Sequence, residues 1–400
     1  MKTTQPKNLT LLGFSTSKDD FNYYTENDTF PQIAAYKYET RLAEGLIENG
    51  IHITRISSPA ISTFPKNKNI LIFSRNPEKN IKFINFINIP TIKLVTKFLS
   101  ATYALISSKK TDAVIIAATH SPYLVASYLN KKIHKIPYYV TILDLPQHMN
   151  FQKKGKIFNF LKKIDSKIIN FTLKNSNGII ATTKYIVEEN ETIKNKPYIV
   201  IEGIADQEQI KEKEYFKITK KEKSILYTGS TNKIHGLDLL LTSIESSNLF
   251  DLDLWICGKG DFDEQIKKSS LKRKNIKHLG YLNSEKINFL QEEADILIIT
   301  RNPNLEYTKY SFPSKLYEYL SSGTPVLTTR LPGIPEDLYP YLNFIDEFKE
   351  EKITESIKKI LGTESETAKA KARKGKMYIL SQKNAKMQAK RTIDFIYETL

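Results

Sequence analysis

The chain has 400 residues, 40% of them hydrophobic, with one cysteine and a formal net charge of +16. That apolar content excludes a disordered chain, and the length exceeds one ordinary core, so two domains of roughly 200 residues each are expected. The lone Cys257 excludes an internal disulfide framework and fits a reducing compartment; the excess of basic residues points to an acidic partner, either nucleic acid, an anionic lipid surface or a phosphorylated substrate.

The first stretch, MKTTQPKNLTLLGF, lacks the apolar run and the small-residue cleavage site of a signal peptide, and no window offers the ~20 uncharged apolar residues of a membrane span. The expected location is cytoplasmic, either free or peripheral at the inner face of the cell membrane. From residue 9 onward, short β-branched runs alternate with longer helical patterns. The runs are LTLLGFS (9–15), IHITRIS (51–57), ILIFSR (70–75), AVIIAATH (113–120), YYVTILDL (138–145), GIIATT (178–183) and YIVIEGI (198–204). Apolar runs of this length predict parallel strands joined by crossover helices, a Rossmann-like domain over residues 1–205.

Residues 206–223 are charged and carry no strand pattern, which predicts a linker. The rhythm then restarts with SILYTGS, DLDLWICGK, IKHLGYL, ADILIITR, PVLTTR and YLNFID, giving a second Rossmann-like domain over 224–383. The final segment, 384–400, is helical in pattern and is expected to return to the first domain. The fold class is thus α/β, with two doubly wound domains facing a central cleft into which the carboxyl ends of the strands open. Neither first strand is followed by G-x-G-x-x-G, which argues against a dinucleotide.

The stretch YSFPSKLYEYLSSGTPVL (310–327) sets one acid in an apolar and basic context. Pro313 suits a first helical turn, and Gly323 with Pro325 suits the stop before a buried strand. Ser314, Lys315 and Glu318 then lie about one turn from the helix N-terminus, where free N–H groups and the macrodipole favour an anion such as a pyrophosphate. A carboxylate one turn in sits where a ribose would lie and accepts two hydroxyl hydrogen bonds. Taken alone, the pair also reads as an ordinary solvated Glu and Lys.

Four motifs appear together here: FPSKLYEYLSSGTPVL, LYTGSTNKIHGLDLLLTSI, LWICGKGDFDEQIKK and IKHLGYLNSEKINFLQEEADILI. In order and spacing they resemble the family-four retaining glycosyltransferases of GT-B fold, nucleotide-sugar enzymes of surface-polysaccharide assembly. The resemblance covers about Ile225 to Leu338 and is only architectural before that. It implies that Glu318 holds the donor ribose and that Gly258, Lys259, Tyr281 and Leu282 line the nucleotide pocket. Many relatives carry Arg and Lys against the pyrophosphate where this chain has Ser230 and His235; Lys315, Lys233 or Arg301 would restore the charge. Many also place a sugar-binding Glu where Tyr310 stands, and Glu306 lies four residues earlier as a substitute. The implied activity is sugar transfer from a nucleotide-diphosphate donor, UDP- or GDP-linked, to a glycan or lipid-linked acceptor in capsule, lipopolysaccharide or exopolysaccharide synthesis. Retention of configuration is part of that implication; no metal and no cofactor beyond the donor itself is expected. A non-catalytic partner subunit of the same fold, or a nucleotide-sugar epimerase, are the alternatives.

Three further features bear on function. Asp251 and Asp253 imitate an Asp-x-Asp metal motif but alternate with leucines, which predicts an exposed strand start. His120 and Asp144 end strands of the first domain and are candidates for the catalytic set with Lys315, beside their capping and loop-holding alternatives. In 152–175, Ile157, Phe160, Leu161, Ile164, Ile168 and Phe171 form one helical stripe, flanked by a stripe of Lys156, Lys163, Lys167 and Lys174. This reads either as a helix packed on the sheet with a solvated basic flank or as a contact with anionic lipid; residues from Lys79 onward share the character. The basic stripes lack the interleaved aromatics of a nucleic-acid motif, so no nucleic-acid partner is expected.

Overall fold

The computed structural model describes residues 5–28, 31–108, 110–143, 156–206, 215–218, 220, 223–249 and 251–400. The chain divides into two compact units, residues 1–204 with 385–400 and residues 205–384. Asp144 lies outside the described residues, as do the side chains of Lys156 and Ile157.

The first unit runs β1 (Asn8–Gly13), α1 (Lys18–Thr25), α2 (Ile33–Glu48), β2 (His52–Ser57), β3 (Leu71–Ile72), β4 (Ile81–Phe83), β5 (Phe86–Ile87), α3 (Ile92–Ile106), β6 (Ala113–Ile116), α4 (Ser121–His134), β7 (Tyr138–Ile142), α5 (Lys156–Lys174), β8 (Gly178–Ala181), α6 (Tyr185–Glu188) and β9 (Tyr198–Val200). Its main sheet has seven strands in the order β4-β2-β1-β6-β7-β8-β9, every pairing parallel. One predicted strand is displaced. The run at 70–75 gives only the two residues of β3, paired antiparallel with β5 outside the main sheet, and the sheet edge is instead β4. The reason is burial: a parallel sheet covers both faces of a strand, whereas Leu71 and Phe73 remain exposed.

The second unit runs β10 (Lys223–Ser230), α7 (Leu237–Glu245), β11 (Leu252–Lys259), α8 (Asp263–Lys272), β12 (Ile276–Gly280), α9 (Ser284–Glu293), β13 (Ile296–Ile299), α10 (Tyr307–Tyr310), α11 (Lys315–Ser322), β14 (Val326–Thr329), β15 (Asn343–Ile345), α12 (Glu350–Leu361) and α13 (Ser365–Gln382). Its six strands follow the order β12-β11-β10-β13-β14-β15, again all parallel. Successive residues point to opposite layers. Ile225, Ile256, Ile296 and Ile298 join α7 and α12 on one face, while Leu226, Trp255, Leu297 and Val326 join α9, α11 and α13 on the other. Phe216 and Ile218, in the charged connector, pack against the second of these layers.

A last helix, α14 (Ala385–Thr399), belongs to the first unit, where Ala389, Ile393, Phe395 and Ile396 enter the core beside α2 and β7. Phe395 meets Tyr139 edge-on with ring centroids 5.7 Å apart, and the Tyr139 hydroxyl and Thr399 Oγ1 are 2.9 Å apart. In each sheet the first strand of the unit lies between neighbours that follow it in opposite directions, β1 between β2 and β6, and β10 between β11 and β13. Such switch points are where doubly wound sheets bind ligands, outside the carboxyl ends of the strands.

Asp253 corrects the expectation of an exposed strand start. Within β11 it is fully buried, and Lys277 Nζ of neighbouring β12 donates to its Oδ2 at 2.8 Å. Strand alternation turns it inward, and burial of the carboxylate requires the ammonium. Lys277→Met is therefore expected to cost about 3 kcal/mol in urea unfolding, and adding Asp253→Leu to recover most of that loss, because the uncompensated charge is then gone.

Candidate active site

In the second unit the ends of β10 and β11 lie unusually close. Gly229 and Gly258 face each other in register with φ of 140° and 152°, and a Cβ on Gly258 would stand 1.8 Å from the Gly229 carbonyl oxygen. Only glycine fits this approach. The loops beyond are stapled by polar groups: Asn232 Oδ1 accepts from Asp261 N–H at 2.9 Å, Asp261 Oδ1 accepts from Lys233 N–H at 2.8 Å, and Thr231 bonds to Asp263. Ser230 and Lys259 sit side by side at the mouth of this pair. The glycines of TGS and GKG thus fix two strand ends against each other, which a plain turn would not require.

Helix α11 begins beside them. Tyr319 anchors it: the Thr228 N–H donates to Tyr319 Oη at 2.7 Å, and the same hydroxyl lies 3.3 Å from the Thr228 carbonyl oxygen. Ser314, the exposed N-cap, makes no side-chain capping bond, so its hydroxyl is not used by the helix. The stem of Lys315 runs past Gly229, with its Cγ 3.9 Å from where a Cβ would be. Its Nζ donates to Glu318 Oε2 at 2.6 Å, and both groups are partly exposed. The two residues singled out in sequence are thus one ion pair at i, i+3, on the first turn of a helix aimed at the switch point.

A second cation approaches from β13. Arg301 is held through its backbone, where Thr329 Oγ1 donates to its carbonyl at 2.6 Å, while its Nη1 is buried without a hydrogen-bond partner among the described residues. His235, in the 3₁₀ turn Lys233–His235, has a buried Nδ1 in the same condition. Burial, then the charge of Arg301, pushes the imidazole down to about 4, so it is neutral near pH 7. The hydroxyls of Tyr227 and Tyr307 are spent on the carbonyls of Ser230 and Ile234. Lys233, by contrast, is exposed and lies 3.7 Å from Asp238.

The remaining candidates are more scattered. Tyr281 is 74% exposed after Gly280, and Leu282 packs against the core that carries α11. Tyr310 is buried at the end of α10, whereas Glu306, its N-cap, is exposed. Of these two, Glu306 is the one open to solvent.

In the first unit His120 caps α4 at the end of the β6 loop. Its ring lies 5.6 Å from Phe14 and 4.8 Å from Tyr123, and its Nε2 is buried without a partner among the described residues. Burial, with Lys97 and Lys93 nearby, holds it well below the usual histidine range. Two groups here escaped the sequence reading. Glu39 of α2 is fully buried and accepts from the Phe14 and Ser15 N–H groups at 2.5 and 2.9 Å. Lys97 of α3 is buried among aromatic rings. Both were legible as charged residues on apolar helical stripes, Glu39 with Leu42 and Leu46, and Lys97 with Ala101 and Ala104.

Burial pushes Glu39 up to about 7. Between its ordinary value of 4.5 and 7 the folded chain binds the extra proton, so this stabilisation is complete below 4.5 and is lost as pH rises through 7. Calorimetric melts are expected to show wild type losing about 3 kcal/mol relative to Glu39→Gln across that window. A parallel pair of profiles would show that Glu39 is already ionised at acid pH.

Residues 207–377 match the family model described as Glycosyl transferases group 1. No curated protein sequence matches the chain. Among solved structures, sucrose-phosphate synthase from Thermosynechococcus elongatus is similar at 13% identity and a TM-score of 0.63, covering 98% of both chains. Anabaena HepE in complex with UDP and glucose is similar at 11% identity and a TM-score of 0.62, over 98% of this chain and all of that one. The lipopolysaccharide outer core galactosyltransferase WaaB, in its apo form, is similar at 14% identity and a TM-score of 0.60, with 98% and 100% covered. The fold shared with these chains, two Rossmann-like units, is GT-B. With a group 1 domain over residues 207–377, this protein is a glycosyltransferase of GT-B fold.

Proposed function

We propose that the protein transfers a sugar from a UDP- or GDP-linked donor to a glycan or lipid-linked acceptor in capsule, lipopolysaccharide or exopolysaccharide synthesis, as a retaining, metal-independent member of family four. The carrying observation is the Lys315–Glu318 pair on the first turn of α11, beside the glycine-tight ends of β10 and β11. Glu318 accepts the ribose hydroxyls. Ser314, Lys315 and the helix N-terminus hold the diphosphate, and Arg301 supplies the charge that Ser230 and His235 lack. As the bond from the sugar to the diphosphate breaks and that to the acceptor oxygen forms, these groups stabilise the leaving negative charge. His120 and Asp144 belong to the acceptor side. The UDP and glucose held by HepE, and the lipopolysaccharide named for WaaB, support this reading.

Among the described residues no helix is long and apolar enough to cross a membrane. The reading includes docking on an anionic one. The stripe of α5 is not packed away: Phe160 is 63% exposed, with Leu161, Ile164 and Phe171 also exposed beside Lys163, Lys167 and Lys174. On α3, Ile92, Val95, Leu99 and Tyr103 form a second exposed apolar stripe at helical spacing. Exposed apolar side chains flanked by lysines fit an anionic bilayer surface, each lysine contributing about 1 kcal/mol.

Thermal melts across nucleotide diphosphates are expected to show stabilisation by UDP or GDP, and radiolabelled sugar from the matching donor to enter cell-envelope lipid extract. No shift with any nucleotide would overturn the donor assignment. Flotation is expected with vesicles containing anionic lipid and absent with neutral ones; equal behaviour would overturn the membrane part.

A further inference from the structure

Three basic side chains of the first unit converge on one aromatic cage. Lys97 Nζ stands 4.3 Å from the ring centroid of Phe86, 5.2 Å from that of Phe14 and 5.8 Å from that of Tyr123. Lys93, one turn earlier on α3, has its Nζ 5.8 Å from the Phe86 centroid and donates to the Ile61 carbonyl at 2.7 Å. The His120 ring packs on Phe14 and Tyr123, with its Nε2 unpartnered among the described residues.

Lys97 is 2% exposed, and among the described residues it makes neither a hydrogen bond nor an ion pair. A buried ammonium with three unused donors is costly, and three rings offset only part of that cost. Two acids approach the group. Glu39 is engaged by the Phe14 and Ser15 N–H groups, and Asp28 acts on Lys93 from a distance. Neither makes a salt bridge to these cations. The cage lies at the carboxyl ends of β1 and β6, the switch point of the sheet.

We propose that Lys97, Lys93 and His120 form an anion subsite in the first unit that receives a phosphate or carboxylate group carried by the acceptor. The ligand's identity as acceptor rests on the proposed function; the subsite itself does not. An entering oxyanion gives Lys97 its missing partner and turns the mutual repulsion of three bases into shared attraction. Burial and Lys93 hold the Lys97 amine well below its usual range, and an oxyanion beside it favours the charged form.

The test is isothermal titration calorimetry of the full chain at pH 7 with methyl phosphate and with acetate. At least one anion is expected to bind, and the one that binds more tightly identifies the acceptor group as phosphate or carboxylate. Lys97→Met, which keeps the side-chain volume, is expected to weaken that binding at least ten-fold. Lys267→Ala, on the exposed face of α8 in the second unit, is expected to leave it unchanged. No binding by either anion, unchanged binding in Lys97→Met, or an equal loss in Lys267→Ala would each overturn the subsite. Should Lys97→Met fail to fold by circular dichroism, Lys93→Met takes its place with the same ten-fold loss expected, and unchanged binding overturning it. Small anions need no donor nucleotide, so a failed nucleotide assignment leaves this result readable.

Discussion

Glu318→Ala is expected to remove most of the thermal stabilisation given by the proposed donor nucleotide while leaving the unliganded melting temperature nearly unchanged. The second half of this expectation follows from exposure. The Lys315–Glu318 pair is partly solvated and its members are three residues apart on one helix, and such pairs contribute at most about 1 kcal/mol. The first half follows from what replaces water on the carboxylate. Two ribose hydroxyls donating to one ionised carboxylate contribute about 3 kcal/mol together, roughly a 100-fold change in affinity. A ligand present at 100 times its dissociation constant stabilises by about 2.7 kcal/mol, so a 100-fold loss removes most of the shift. Lys315→Ala separates the proposed roles: it should weaken a nucleoside diphosphate and spare the bare nucleoside if Lys315 holds phosphate and Glu318 ribose, as proposed. A nucleotide shift that survives Glu318→Ala would refute the ribose assignment.

Phe395→Ala is expected to lower the melting temperature of the first unit by about 10 °C, although the residue belongs to a segment, 385–400, far along the chain from the rest of that unit. Truncating a buried Phe costs about 3–5 kcal/mol, and each kcal/mol shifts a domain of this size by about 2–4 °C. Phe395 lies against Tyr139 and over Gly178, where a Cβ would come within 2.7 Å of the Phe395 ring. The partner experiment uses that contact. Gly178→Ala is expected to destabilise wild type strongly but Phe395→Leu much less, since the smaller side chain vacates the space the new methyl takes. Equal penalties in both backgrounds would show that α14 does not seat there.

The local features of this chain follow from periodicity. Runs such as AVII and ILII, buried on both faces, announce parallel strands, and the alternation of Ile225, Leu226 and Tyr227 between two layers needs nothing beyond the pleat. Pro313 and Gly323 bracket α11 as helix signals should. What failed were two inferences that depended on the far side of a segment. ILIFSR reads as a buried strand, yet Leu71 and Phe73 stay exposed; Asp253 of DLDLW reads as exposed, yet it meets Lys277 across the sheet. The stripe of α5 has the period of a packed helix, and whether anything packs on it is not written in its own residues.

The sequence by itself therefore determined most of the strands and helices, the two Rossmann-like units and the acid of α11. Only the tertiary structure decided that Glu318 pairs with Lys315, that Arg301 and His235 converge from the segments after β13 and β10, that the glycines of TGS and GKG fix two strand ends, and that Tyr310 is buried while Glu306 is not. It also decided that Lys97, Lys93 and His120 share one cage. The reason is one of range. Hydrogen-bonding period and side-chain size act between neighbours in the chain, whereas a site is a meeting of strand ends, and which ends meet is fixed by the order of strands in the sheet.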